Sequence, residues 1–240
     1  MTLSIIIPVY NEARTVAEVL RRVHGVPLSL GYEKEIIVVD DGSTDDTPFI
    51  VESVAREISL RLFTHECNRG KGVAIRTALA EARGEVVLIQ DADLEYDPRE
   101  YGILLAALSA ETAAVYGARG TKRYPKRGFH FVLGARFLTG LVNFLFGVHL
   151  TDSYTGYKLF RTEVLRSLAL SATGFEFEAE VTCKLLAGGA RIVEVPLAHY
   201  MPRSVAEGKK IGWRDAWRGF LTILWVWYNN KEWLSLIKTR

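Results

Sequence analysis

An α/β fold, with a mostly parallel sheet flanked by helices, is predicted by three observations on the first ninety residues. Short apolar runs of strand length alternate with segments whose apolar residues recur at helical spacing. The runs are apolar at nearly every position, as expected of strands buried on both faces. Residues suited to starting a helix follow the run that ends at Asp40. Alternation of this kind places helices on the faces of one sheet.

The first strand is Leu3 to Val9, rich in isoleucine and ended by Pro8 and Asn11. Val16, Val19, Leu20 and Val23 then mark one face of a helix. Glu35 to Asp40 is the second strand, and Ser43 and Thr44 introduce a helix over Asp45 to Ile58. Leu60 to Thr64 is the third strand. After Asn68-Arg69-Gly70-Lys71-Gly72, the positions Ile75, Ala78, Leu79 and Ala82 form another helical face, and Glu85 to Gln90 is the fourth strand. From Ala113 onward the alternation breaks down into a basic loop, an apolar helix, a polar patch, another helix and an aromatic tail. No internal repeat or Pro/Gly linker marks a second domain, so the second half is expected to elaborate the first.

Composition narrows the function classes. With 240 residues, 49% of them apolar, the chain can bury one large core. Thirty Lys and Arg against 28 Asp and Glu leave almost no net charge, which argues against a nucleic-acid binder. Cys67 and Cys183 form neither a metal-ligand spacing nor a redox motif, and a reducing compartment fits them. Met1 to Tyr10 lacks the basic flank, long apolar stretch and cleavage site of a secretory signal, and reads as a strand.

Open sheets of this type bind ligands at the carboxyl ends of their strands. Three such ends carry unusual groups: Tyr10-Asn11-Glu12, Asp40-Asp41-Gly42-Ser43 and Asp91-Ala92-Asp93. Asp91 and Asp93 follow the run VVLIQ two residues apart, so their carboxylates can point one way while Ala92 points back. Hard divalent cations take such oxygen ligands and complete their shell with substrate phosphates and water. A lone D-x-D also decorates solvated turns; here its place after a buried strand favours the metal. Asp40 and Asp41 follow IIVV in the same way, where a carboxylate accepts from ribose hydroxyls or a base edge, or caps the next helix. The glycine-bearing stretch Asn68 to Gly72 lacks the spacing of a nucleoside-triphosphatase loop.

SIIIPVYNE, IIVVDDGSTDDT, NRGKGVAIRTAL and VVLIQDADLEYDP resemble the successive nucleotide-sugar motifs of family 2 glycosyltransferases with a GT-A fold. TDSYTGYKLFRTEVL, GFEFEAEVTCKLL, IVEVP and PRSVAEGKKIGWRD are similar to the branch containing dolichyl- and polyprenyl-phosphate mannose and glucose synthases. The similarity runs from about Leu3 to Asp215. It implies a metal-dependent, inverting transfer of a hexose from a nucleotide-sugar donor, GDP-mannose or UDP-glucose, to a polyprenyl phosphate. By the same resemblance Pro8, Tyr10, Glu12, Asp40 and Asp41, with Lys71, Asp91 and Ala92, bind the nucleotide. Asp91 and Asp93 hold Mn2+ or Mg2+ together with the diphosphate, and Glu95 stands where this branch often carries a glutamine near the metal. Arg203, Ser204, Lys209 and Lys210 belong to a loop that closes over the diphosphate, although their spacing departs from that of the mannosyl synthases. Charge neutralisation of a departing diphosphate calls for such cations independently of the resemblance. Without the upstream motifs they would read as a solvated basic patch. Asp91, Asp93, Arg203 and Lys209 are the expected catalytic set.

Residues 1–212 are expected to form the catalytic domain, with an acceptor-side helix near 130–148, and 213–240 an amphipathic helix. Trp213, Trp217, Phe220, Leu221, Leu224 and Tyr228 recur at helical spacing beside Arg214, Asp215 and Arg218, a pattern that suits a membrane interface, helix packing or a contact between two copies of the chain. The apolar segment from Phe131 to Val148 is interrupted by Arg136 and Asn143. Arg119, Lys122, Arg123, Lys126 and Arg127 crowd its start, and Arg119, Arg127 and Arg136 are the expected contacts to an anionic lipid head. The chain is thus expected to lie peripherally on the cytoplasmic face of a membrane. Two other readings stay open: transfer to a sugar hydroxyl with Asp152, Glu176 or Glu178 as base, and a non-catalytic nucleotide-sugar-binding protein. A dinucleotide oxidoreductase is disfavoured, because no G-x-G-x-x-G follows the first strand.

Overall fold

The computed structural model describes residues 1–120, 129–203 and 212–238. Its strands are β1 (Thr2–Val9), β2 (Glu33–Asp40), β3 (Arg61–Thr64), β4 (Val86–Ile89), β5 (Thr112–Ala118), β6 (Lys158–Arg161) and β7 (Arg191–Pro196). Its helices are α1 (Val16–Gly25), α2 (Thr47–Ala55), α3 (Lys71–Glu81), α4 (Tyr101–Ala106), α5 (Phe129–Phe146), α6 (Thr162–Ser167), α7 (Phe177–Ala187) and α8 (Trp213–Lys238), with a 3-10 turn at Pro98–Glu100.

One sheet takes all seven strands in the order β3-β2-β1-β4-β6-β5-β7, and β6 alone among them runs antiparallel to its neighbours. Period-two alternation sorts the strand residues onto two cores. Leu3, Ile5 and Ile7 of β1, Ile36 and Val38 of β2, and Val86 and Leu88 of β4 pack with Val19, Leu20, Val51 and Leu104 on one face. Ile6, Ile37, Val39, Val87 and Ile89 pack with Ile75, Ala78, Phe177 and Val181 on the other. Burial on both faces is why these runs are apolar without a break. Helical periodicity does the same for α1, whose buried residues are Val16, Val19, Leu20 and Val23.

The chain winds outward from β1 through β2 to β3, then returns to place β4 on the other side of β1. Strand order therefore reverses between β1 and β4, and a crevice opens beyond the carboxyl ends of strands at such a point. That is where residues 10–12 and 91–93 lie. The second half extends the same sheet through β5, β6 and β7.

The helices α5, α7 and α8 share a third cluster of Leu138, Val142, Ala179, Cys183, Ile223 and Val226. Trp227 adds a tie by donating its indole N–H to the Leu145 carbonyl at 3.1 Å. With their inner faces so engaged, α5 and α8 turn Leu133, Phe137 and Phe144, and Trp213, Trp217, Leu221, Trp225 and Tyr228, to the outside. Among the described residues no helix is long and apolar enough to cross a membrane.

Candidate active site

Asp40 ends β2 buried, with one carboxylate oxygen accepting from the amide and hydroxyl of Ser43. Its Oδ2 is buried with no hydrogen-bond partner among the described residues. A buried carboxylate oxygen without a donor is costly, and ribose hydroxyls or a base N–H supply such donors. Asp41 is used differently. It accepts from the amides of Arg69 at 3.0 Å and Gly70 at 2.7 Å and lies 2.6 Å from His65 Nδ1, so it anchors the loop before α3. Gly70 has φ 98, and a Cβ there would collide with the Thr173 carbonyl. Its neighbour Lys71 is thereby set at the first position of α3.

Lys71 directs its Nζ to Asp91 Oδ1 at 2.7 Å and Glu178 Oε1 at 3.2 Å. Glu178 in turn pairs through Oε2 with Lys158, a lysine wholly buried in β6 whose ammonium also donates to the Thr155 carbonyl. Burial alone would raise the Glu178 pKa, but Lys158 and Lys71 outweigh it and the carboxyl lies below its ordinary range. Sequence reasoning placed Lys71 at the nucleotide but missed Lys158 and its bond to Glu178. No periodicity links the two positions in the sequence, twenty residues apart. The other oxygen of Asp91 rests against Gly156, where any side chain would strike it.

Asp93 faces acidic company. Burial, then the charges of Asp91 and Glu95, push its pKa up to about 7, against smaller opposing effects from the Glu95 amide and Arg203. Arg203 Nη1 stands 3.6 Å from Asp93 Oδ2 and grips Glu12 with both terminal nitrogens. Glu95, expected beside the metal, turns its carboxylate instead to the segment after β7: Oε1 accepts the Arg203 amide at 2.6 Å and Oε2 the Tyr200 hydroxyl at 3.3 Å. Thr15 ties the two strand ends together, donating to Ala92 O at 2.9 Å and lying 3.0 Å from Glu12 Oε2. Ala92 itself is buried, Pro8 lies in β1 opposite Val39, and Tyr10 is half-buried at the bend after β1.

Among the described residues no three His, Cys, Asp or Glu converge as a complete metal cage. Magnesium and manganese do not need one, since one or two carboxylates plus substrate phosphates suffice. The mutual repulsion that raises the Asp93 pKa is what a divalent cation relieves, so Asp93 with Asp91 fits such an ion.

The expected acceptor contacts separate. Arg119, just after β5, is half-buried, with its side chain in a two-pronged pair with Asp152, at 2.6 and 2.8 Å, over the Tyr200 ring. This pair ties the end of β5 to the loop after α5. Arg136 is exposed on α5. Arg127 and Lys209, with Lys122, Arg123, Lys126, Ser204 and Lys210, lie outside the described residues.

Residues 4–169 match the glycosyl transferase family 2. The chain belongs to that family. It is 32% identical over 213 residues to an undecaprenyl-phosphate 4-deoxy-4-formamido-L-arabinose transferase of Pseudomonas fluorescens, covering 86% of this chain and 59% of that protein. It is 33% identical over 221 residues to a polyprenol monophosphomannose synthase of Mycolicibacterium smegmatis, covering 87% of this chain and 80% of that one. The chain spans 59%, 59% and 56% of the length of the first three curated relatives it matches. Glucosyl-3-phosphoglycerate synthase of Mycobacterium tuberculosis, solved with Mn2+, uridine diphosphate and phosphoglyceric acid, superposes with a TM-score of 0.72 at 22% identity over 94% of this chain and 78% of its own. The fold is that of the GT-A glycosyltransferases, as the family resemblance implied.

Proposed function

We propose that this family 2 glycosyltransferase moves a hexose, with inversion, from a nucleotide-diphosphate sugar to a polyprenyl phosphate at the cytoplasmic face of a membrane. Asp40 receives the nucleoside through its unpaired oxygen. Asp93 and Asp91 hold Mn2+ or Mg2+, which neutralises charge on the diphosphate. An oxygen of the acceptor phosphate forms the new bond to the anomeric carbon as the bond to the donor diphosphate breaks, and Arg203, with Lys209, meets the charge left on the departing group.

The observation that carries this reading is the state of the three carboxylates a hydroxyl acceptor would need as base. Asp152 is bound by Arg119, and Glu178 by two lysines. Glu176 is also a poor base. Burial would raise its pKa, but the amides of Gly174 and Thr173 overcome this and lower it. A phosphate monoester, with a second pKa of about 6, is already largely ionised and needs no base. The names of the relatives, which are transferases to undecaprenyl and polyprenol phosphates, support the same acceptor class. The outward aromatic faces of α5 and α8 suit a lipid surface.

The test offers purified protein GDP-mannose or UDP-glucose with a short-chain polyprenyl phosphate or the matching alcohol, with and without Mn2+. Product from the phosphate alone, and only with metal, is expected. One feature favours transfer to a hydroxyl: Glu176 Oε2 is buried without a hydrogen-bond partner among the described residues. Efficient transfer to a sugar hydroxyl, lost in Glu176→Gln, would establish that reading instead. No transfer to any acceptor would leave a nucleotide-sugar-binding protein.

A further inference from the structure

Lys71 is fixed in its backbone and contested at its tip. Asp41 holds the amides of Arg69 and Gly70, and is itself backed by His65, whose Nε2 lies 2.9 Å from Thr77 Oγ1. On the far side the Gly72 amide donates to Thr173 O at 2.8 Å. Only the Lys71 side chain is left to move. Its ammonium lies between Asp91 and Glu178, with the Phe175 ring 5.9 Å away. Glu178 cannot follow it, because Lys158 holds the other oxygen in a fully buried pair. Asp91, by contrast, has two claims on it: among the described residues Lys71 is its ion-pair partner, and the proposed reaction needs it at the divalent ion.

The charges of Lys71, Lys158, Asp91 and Glu178 cancel while Lys71 holds Asp91. A divalent ion approaching Asp91 then meets an ammonium at hydrogen-bond distance from the same carboxylate, and like charges in a partly buried site repel strongly. A diphosphate changes this balance, since its oxygens offer the ammonium charge-assisted hydrogen bonds and also complete the shell of Mg2+ or Mn2+.

We propose that Lys71 is a counter-ion exchanged on donor binding: its ammonium neutralises Asp91 until the donor diphosphate arrives, then turns to the phosphate and releases Asp91 to the divalent ion. Metal and donor therefore bind cooperatively. Glu178 acts as a positioning residue that keeps the ammonium within reach of both partners. This rests on the metal-dependent reading above.

The experiment measures Mn2+ affinity from the EPR signal of the free ion, alone and with saturating GDP or UDP, and nucleotide affinity by calorimetry in chelator. Wild type, Lys71→Met and Lys71→Arg are compared, with circular dichroism to confirm folding. Lys71→Met is expected to bind Mn2+ alone about fivefold tighter, to bind nucleotide in chelator about fivefold weaker, and to lose most of the coupling between them. Lys71→Arg keeps the charge beside Glu178, and so the fold, and holds Asp91 through a two-pronged pair. It should bind Mn2+ alone more weakly than wild type. Mn2+ binding that is unchanged in Lys71→Arg, or weakened in a folded Lys71→Met, overturns the exchange. Wild type that binds no Mn2+ even with nucleotide overturns the metal-dependent reading along with it. Cooperative wild-type binding that both variants reproduce overturns the exchange alone.

Discussion

Arg203 and Glu12, 191 positions apart, form a two-pronged ion pair: Nη1 lies 2.8 Å from Oε1 and Nη2 2.9 Å from Oε2. The pair joins the loop after β1 to the segment after β7 across the crevice between β1 and β4. It also brings Arg203 to 3.6 Å from Asp93. A cation already seated beside the carboxylate proposed to hold the metal is well placed to meet charge that develops on a leaving diphosphate.

Arg203→Ala is therefore expected to lower turnover by about 100-fold while changing the affinity for free nucleotide by no more than about threefold. Arg203→Lys should recover little, because an ammonium cannot reproduce the fork on Glu12. Steady-state kinetics beside nucleotide calorimetry checks this. Unchanged turnover in both variants would return Arg203 to a purely structural part.

Asp93 makes the metal-free protein sensitive to pH in a direction that can be worked out. Its carboxyl is raised from an ordinary value near 4 to about 7. Between those limits the folded chain keeps a proton that the unfolded chain has released, so stability falls as pH rises through this window. Above about 7 the full penalty is present. Asp93→Asn should then abolish metal-dependent transfer yet stabilise the metal-free protein at pH 8 by about 1–2 kcal/mol, with little gain at pH 4. Denaturant unfolding at the two pH values checks both halves, and a variant that is less stable at pH 8 would contradict them.

The strand ends were legible in the sequence because their cause is local. A strand buried on both faces must be apolar throughout, so IIVV and VVLI stand out, and the carboxylates that follow them, Asp40 and Asp91, are conspicuous by contrast. Lys71 was legible for a similar reason, sitting between two glycines at a helix start. What escaped are pairings set by the folded topology. Lys158 meets Glu178 twenty positions later and Arg119 meets Asp152 thirty-three positions later, and no periodicity links them. Arg119 read as a contact to an anionic lipid head because its neighbours Lys122 and Arg123 share its charge, while the carboxylate that pairs with it lies beyond α5. β6 escaped as well, since a four-residue strand containing a lysine and an arginine carries no strand pattern.

Burial of Lys158 makes Glu178 a structural as well as a positioning group. Glu178→Leu would leave that ammonium uncompensated in the interior, at a cost of about 3–5 kcal/mol, whereas combining it with Lys158→Met should restore most of the loss. A thermodynamic cycle on the two single variants and the double variant checks this. Additive losses would show that the two side chains act independently.

The outer face of α8 yields the last prediction. Trp213, Trp217, Leu221, Trp225 and Tyr228 are all exposed, while Ile223 and Val226 behind them are buried against α5 and α7. The residues flanking this aromatic stripe include Arg214 and Arg218, both exposed. Tryptophan and tyrosine favour the level of lipid headgroups, and each arginine near an anionic surface adds about 1 kcal/mol. Vesicles containing anionic lipid should therefore bind the protein, and high salt should weaken that binding. Trp217→Glu with Trp225→Glu should reduce it by about tenfold or more, since two anchoring rings are lost and two repelled charges gained. Neither side chain belongs to the buried cluster, so the thermal midpoint should hardly move. Vesicle flotation beside thermal unfolding separates the outcomes: unchanged flotation would mean that the face covers something other than lipid, and light scattering would show whether that something is a second copy of the chain.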